Sequence, residues 1–220
     1  MTNPFQLSHL DSFEEERAIG PIQREEALFL FGLFRVTRPK VVVEFGFDRG
    51  RSASNFLAAL DNDAIFYTYD ITDAAAVAAR SLSQDPRFHF IRKSQDNFEC
   101  SDINSELIDF VFIDAAHDCD VNKRTFQLIL SSLAPNAIIA VHDTGIWNKK
   151  YFLDKHVRFA KADPTGWLNA AEYQHQKGER AFVDYITNSF PEFNMVHFHS
   201  LRCLRHGLTI MQRNIRLTLA

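Results

Sequence analysis

The sequence predicts a doubly wound α/β fold built on one mostly parallel sheet. Three observations predict it. Short apolar segments rich in β-branched and aromatic residues alternate with segments of helical period, as successive βαβ units require. Four of these apolar segments end in an acid: Glu44, Asp70, Asp114 and Asp143. The first runs straight into a glycine-bearing turn and a helix start, which is where folds of this class bind nucleotides, at the carboxyl ends of their strands.

The elements follow in order. Residues 1–20 are polar and acidic, with a helix expected near Ser12 and Glu14-Glu15-Glu16 in its first turn. Apolar residues at helical spacing predict a helix over 22–37 that stops before Pro39. Val41-Val42-Val43 opens the first strand, about 40–46, as a run buried on both faces. A helix over 52–60 follows, with Ser52 or Ser54 expected as its cap. Further strands are expected at 64–70, 88–92, 108–114 and 137–143, with helices at 74–82 and 120–133 between them. After Asp143 the rhythm breaks into a mixed, aromatic and basic stretch, read as an insertion over the binding edge. A helix over 178–189 and strands at 193–198 and 208–213 close the chain, the last strand a candidate for antiparallel pairing.

The bulk properties bound the function. The 220 residues suit one domain, and 46% hydrophobic with 24% charged residues is ordinary for a soluble globular protein. A formal net charge of −4 gives no reason to expect nucleic acid as a partner. The 21 Phe residues predict an aromatic-rich core. Cys100, Cys119 and Cys203 are odd in number and lack CxxC spacing, which argues against disulfides or zinc and for a reducing compartment. No signal peptide or membrane span is read, so a cytoplasmic location is expected.

The first turn narrows the ligand. It reads Gly46-Phe47-Asp48-Arg49-Gly50, without the middle glycine that lets a backbone approach a pyrophosphate. Glu44 beside it would repel phosphate, and no P-loop motif is present. Asp70, 20 residues after Gly50, is placed to accept from both hydroxyls of a ribose. A nucleoside with a cationic end fits, and S-adenosylmethionine is such a ligand. A nicotinamide-dependent oxidoreductase is disfavoured by the missing glycine.

Three motifs carry a resemblance: Val43-Glu44-Phe45-Gly46-Phe47-Asp48-Arg49-Gly50-Arg51-Ser52-Ala53, Phe112-Ile113-Asp114-Ala115-Ala116-His117-Asp118, and Leu133-Ala134-Pro135-Asn136-Ala137-Ile138-Ile139-Ala140-Val141-His142-Asp143-Thr144. With them the chain resembles class I S-adenosylmethionine-dependent methyltransferases. It is most similar to the small-molecule O-methyltransferases related to macrocin O-methyltransferase and cephalosporin-hydroxylase-type proteins. The resemblance implies a Rossmann-like sheet of seven strands with the last antiparallel and helices on both faces. It implies one domain over 1–220, with an N-terminal helical lid at 1–38, touching the cofactor through Ile19-Gly20-Pro21-Ile22, and a substrate-side insertion at 145–180. The implied cofactor residues are Glu44, Gly46, Gly50 and Ser52 at the methionine end, Asp70 at the ribose, Ser94, Gln95 and Asp96 near the adenine, and Asp114. Relatives carry Gly-Gly where this chain has Asn136-Ala137, and Asn is expected to take the left-handed turn there.

Methyl transfer to a hydroxyl also needs a destination for the proton. Two routes stand open. Asp114, Asp143 and Thr144 could hold Mg²⁺, which would lower the pKa of a substrate hydroxyl. Alternatively His117 or His142 acts as a general base without metal, although His142, ending an apolar strand, also reads as a hydrogen-bonded core residue. The expected activity is O-methylation of a small hydroxylated acceptor; a non-catalytic cofactor-binding or assembly protein on the same fold is the rival. The basic tail (Arg202, Arg205, Arg213, Arg216) reads as a solvated face, with a homo-oligomer contact as the alternative.

Overall fold

The computed structural model describes residues 7–13, 22–144, 147–148, 167–168, 174–198 and 207–214. Seven strands form one sheet: β1 (Val41–Phe45), β2 (Ile65–Tyr69), β3 (Phe88–Ile91), β4 (Ile108–Ile113), β5 (Leu133–Val141), β6 (Phe193–Phe198) and β7 (Leu208–Arg213). Their spatial order is β3-β2-β1-β4-β5-β7-β6. The pairs from β3 to β5 are parallel, whereas β7 runs antiparallel to both β5 and β6. The expected seven strands and antiparallel last strand are therefore present. Trp147–Asn148 and Trp167–Leu168 form a separate two-residue antiparallel pair.

The alternation of strand side chains divides the core in two. Val42, Phe66, Phe110 and Phe112 face helices α1 (Arg24–Thr37), α2 (Arg51–Ala59) and α3 (Asp73–Ala79). Val41, Val43, Phe45, Val111 and Ile113 face α4 (Cys119–Ile129) and α5 (Gln174–Ser189), which contribute Phe126, Ile129, Phe182 and Ile186. Phenylalanine fills both layers. Phe34 of α1 stacks on Phe56 of α2, ring centroids 4.7 Å apart, and meets Phe110 edge-on at 4.5 Å.

Local rules explain most boundaries. α1 starts with a capping box in which the Glu26 carboxylate accepts from the Gln23 N–H at 2.9 Å. It ends on Arg38 in the left-handed conformation, one residue before Pro39. Thr72 caps α3 and Asp118 caps α4. Two expectations change. Neither Ser52 nor Ser54 caps α2: Gly50 is the cap residue, Ser54 donates back to the Gly50 carbonyl and Ser52 donates to Glu44. Asn136 needs no left-handed turn, because it lies within β5 and has no positive φ; the register shift between Ile108 and Phe110 lets Pro135 and Asn136 sit in a bulge. Near the N-terminus, Ser8–Phe13 is a 3₁₀ helix, and the expected helical turn at Glu14-Glu15-Glu16 lies outside the described residues, as do Ile19-Gly20-Pro21 and most of the 145–180 segment.

The turn after β1 is held from both sides. The Gly46 N–H donates to the Tyr69 carbonyl at 2.9 Å, and the Asp114 N–H donates to the Phe45 carbonyl at 2.9 Å. Gly46 has φ +101°, and a Cβ on it would overlap the Asp114 carbonyl. Gly46→Ala is accordingly expected to cost about 2–4 kcal/mol of stability. Urea unfolding measures this, and a loss below about 0.5 kcal/mol would show that the β1 turn and the end of β4 can separate freely.

Candidate functional site

A cavity of about 320 Å³ opens at the carboxyl edge of the parallel strands. Gly46 and Asp48 come from the turn after β1, Asp70 and Thr72 from the end of β2, Ser94 and Gln95 from beyond β3, and Asp114 from the end of β4. Lys93, also in its wall, is anchored by Glu99 and Asp102. Asp70 organises this wall. One oxygen accepts from the Asp48 N–H at 3.0 Å, and the other accepts from the Thr72 N–H and hydroxyl, both at 2.9 Å. Asp48 takes a left-handed φ of 48° to point its N–H there.

Glu44, Gly50 and Ser52 lie off the cavity wall. The Glu44 carboxylate is fully buried and accepts from the Ser52 hydroxyl and, at 2.6 Å, from the Thr68 hydroxyl. It ties α2 to β2 beneath the turn. Burial is the main cause that pushes its pKa up to about 8; the hydrogen bonds from Ser52 and Thr68 oppose the rise, and Asp114 and Asp70 add to it. Gln95, although it reaches the cavity, spends its amide on α4. Its N–H₂ donates to Asn122 and Thr125, and its oxygen accepts from the Ala116 N–H at 3.2 Å. Asp96 turns outward to Ser94 and Arg124, and those hydrogen bonds, Ser94 first, hold its pKa below the ordinary carboxylate value.

At the other end of the cavity, histidines and carboxylates interleave. His142 is fully buried, with Nδ1 3.1 Å from Asp114 Oδ1 and Nε2 3.0 Å from Glu26 Oε2. A proton on each ring nitrogen satisfies both carboxylate contacts. Burial works against that charge, but Asp114, Asp143 and Glu26 outweigh it and raise the His142 pKa well above its ordinary value. His117 Nδ1 lies 2.5 Å from Glu179 Oε1 and 3.9 Å from Asp143 Oδ2. Burial again opposes the charge, and Glu179, with Asp143 and Asp114, raises the pKa. Asp143 is fully buried, with a left-handed φ of 60°.

Among the described residues, Asp114, His117 and Asp143 can each bring one donor atom within 4.8 Å of the others. Thr144 takes a different place: its hydroxyl accepts from Thr209 at 2.7 Å, and its N–H donates to the Gly207 carbonyl. The expected site residues thus fall into a cavity wall (Gly46, Asp70, Gln95, Asp114), a supporting layer (Glu44, Gly50, Ser52, Asp96, Thr144) and a buried charge cluster (Asp114, His117, His142, Asp143). Glu26 and Glu179 belong to that cluster and escaped the sequence reading, because each meets its histidine across a long separation, 116 and 62 residues.

A seven-stranded sheet with β7 antiparallel between β5 and β6, and a glycine turn at its binding edge, define the Rossmann-like methyltransferase fold. Residues 43–144 match a family model described as a methyltransferase domain, in agreement with the resemblance read from the motifs. Solved structures share the fold. An O-methyltransferase from Bacillus cereus in complex with SAH aligns at TM-score 0.68 and 18% identity, covering 94% of this chain and 91% of that one. The SAH-bound methyltransferase PaMTH1 of Podospora anserina aligns at TM-score 0.63 and 15% identity, over 94% and 86% of the two chains. The O-methyltransferase TomG of Streptomyces achromogenes, in complex with SAM, aligns at 0.60 and 17%, also over 94% and 86%. No curated protein matches the sequence. No helix among the described residues is long and apolar enough to cross a membrane.

The buried Glu44 yields a test in pH. Its folded-state pKa is raised from 4.5 to about 8, so the folded chain keeps a proton that the unfolded chain loses first. The stability it contributes is fully present below 4.5 and is lost as pH rises through about 8. Glu44→Gln, which mimics the protonated acid, is expected to remove from this window a downward slope of ~1 kcal/mol per pH unit. Urea unfolding of both proteins at several pH values reads the difference; parallel curves would mean that Glu44 is ionised in the fold.

Proposed function

We propose that the chain transfers the methyl group of S-adenosylmethionine to a hydroxyl of a small acceptor. The observation that carries this reading is the cavity running from the Gly46 turn and Asp70 to Asp114. The SAH and SAM in the similar structures support the same cofactor here. Asp70, braced by Asp48 and Thr72, accepts from a ribose hydroxyl with the Oδ2 lone pair that its three protein donors leave open. Ser94 and Gln95 flank the adenine. Gly46 gives the methionine end a backbone edge without a Cβ, and Glu44 acts from below by fixing Ser52 and α2.

Asp114 stands at the reacting end. The acceptor oxygen attacks the methyl carbon in line with the breaking C–S bond, S-adenosylhomocysteine leaves, and the hydroxyl proton passes to a base. We assign that role to His117. His142 is the wrong group for it, because both its nitrogens are engaged by carboxylates; it acts as a buried cation that orients Asp114.

The charge cluster fits a divalent cation. Four carboxylates, Glu26, Asp114, Asp143 and Glu179, face two imidazoles among the described residues, so even two protonated rings leave negative charge over. Asp114 and Asp143 would hold Mg²⁺, and when bound it would supply a Lewis acid to the acceptor hydroxyl.

Isothermal titration with S-adenosylmethionine tests the reading: wild type is expected to bind, and absence of binding at high micromolar cofactor would sink it. Asp70→Ala is expected to weaken binding about tenfold or more, since it removes the charged partner of a ribose hydroxyl. Asp114→Asn is expected to abolish methylation of hydroxylated acceptors in a radiolabelled-methyl assay; undiminished turnover would remove Asp114 from the reacting end.

A further inference from the structure

Resting on that reading, we propose that Glu179 is the positioning residue for His117, and that Gly178-Glu179-Arg180 of α5 is a built part of the site. These three consecutive residues touch both loops that carry the reacting groups. Gly178 packs so closely on the loop after β4 that a Cβ on it would overlap the His117 carbonyl. Glu179 is buried at 3% exposure, and its Oε1 lies 2.5 Å from His117 Nδ1. Arg180 Nη1 donates to the Thr144 carbonyl, after β5, at 3.2 Å.

Packing alone does not call for this arrangement. α5 already seats on the sheet through Phe182 and Ile186, both fully buried. A carboxylate buried one turn earlier costs free energy unless it is paired and hydrogen-bonded. Its Oε2 is buried and has no hydrogen-bond partner among the described residues, so the pairing with His117 is the contact that offsets its burial. The absence of a side chain on Gly178 sets the distance at which the pair forms.

The chemical consequence concerns which ring nitrogen carries the proton. Glu179 accepts from Nδ1–H, which places the lone pair of the neutral ring on Nε2 and fixes the ring plane. Without Glu179 the ring loses the acceptor that selects Nδ1–H, and the acceptor proton loses its aligned destination. Glu179 touches neither substrate nor cofactor in this scheme; it acts through His117.

The test reads the ring directly and needs no acceptor. Full-length protein carrying ¹⁵N-histidine is placed with S-adenosylhomocysteine at a pH where His117 is neutral. Long-range ¹H–¹⁵N spectra report its tautomer, with the signals assigned by His117→Gln. Wild type is expected to show Nδ1–H, Glu179→Ala to shift to a mixture or to Nε2–H, and Glu179→Gln, whose amide oxygen still accepts, to restore Nδ1–H. With an acceptor that turns over, Glu179→Ala is expected to lower kcat about 10–100-fold, while KM for S-adenosylmethionine changes less than about threefold, because Glu179 lies off the cavity wall.

An unchanged tautomer in folded Glu179→Ala overturns the proposal, as does a Glu179→Gln ring that behaves like the Ala variant; the Gln variant decides the matter if Ala fails to fold. The tautomer experiment fails separately from the function, since loss of cofactor binding by wild type would remove the methyltransferase reading and leave the Glu179–His117 pair measurable without ligand.

Discussion

The parallel register is the constraint on which the site depends. Phe45 pairs with Tyr69 and with Ile113, and Ile113 pairs with Val141. The next residue of each strand therefore falls in one row: Gly46, Asp70, Asp114 and His142. Their backbone N–H groups extend the ladder by one more bond, to Tyr69, Ile91, Phe45 and Ile113 respectively. A slip of one residue in any strand would exchange inward and outward faces and take its polar group out of the row. The buried Val and Phe runs of β1 and β4 prevent that slip, so apolar packing on both sides of the sheet fixes the geometry of polar chemistry at its edge.

That row explains why the four strand-end acids are not equivalent. Asp70 and Asp114 stand in it and reach the cavity. Glu44 sits two residues earlier in β1 and is swallowed by the sheet, where two hydroxyls stabilise it and burial favours its neutral form. Asp143 comes one residue after the row and turns inward through a left-handed φ. One sequence feature, an acid closing an apolar run, thus produces a cavity-facing carboxylate, a fold-bracing carboxyl and a member of a charge cluster, according to an offset of one or two residues.

The sequence was a good guide wherever the signal was local. The strands β6 and β7, the stop of α1 before Pro39 and the glycine turn all follow from short patterns with a physical cause. It misled where a local rule met a tertiary competitor. Ser52 has the chemistry of a helix cap, but the buried Glu44 beneath it is the stronger demand on its hydroxyl, and Gly50 takes the cap position instead. Asn136 has the chemistry of a left-handed turn, but the bulge around Pro135 absorbs the extra residues within β5. Glu26 and Glu179 were illegible for a different reason. Each reads as an ordinary acid on an amphipathic helix, and only the packing of α1 and α5 on opposite faces of the sheet brings them to the two histidines.

The two faces then do matching work. From one side α1 presents Glu26 to His142, which holds Asp114. From the other α5 presents Glu179 to His117. In each case burial opposes the charge and carboxylates outweigh it, Asp114 and Asp143 ahead of Glu26 for His142 and Glu179 foremost for His117. The two histidines differ in how deeply they are enclosed. His142 has both nitrogens committed to carboxylates and is confined to orienting a neighbour. His117 meets Glu179 through Nδ1, with Asp143 3.9 Å from the same nitrogen, and stands on the loop beyond β4 rather than in the strand row. The difference follows from depth in the sheet: His142, inside the strand row, is fully buried, and His117, on the loop beyond β4, keeps 23% of its side chain exposed.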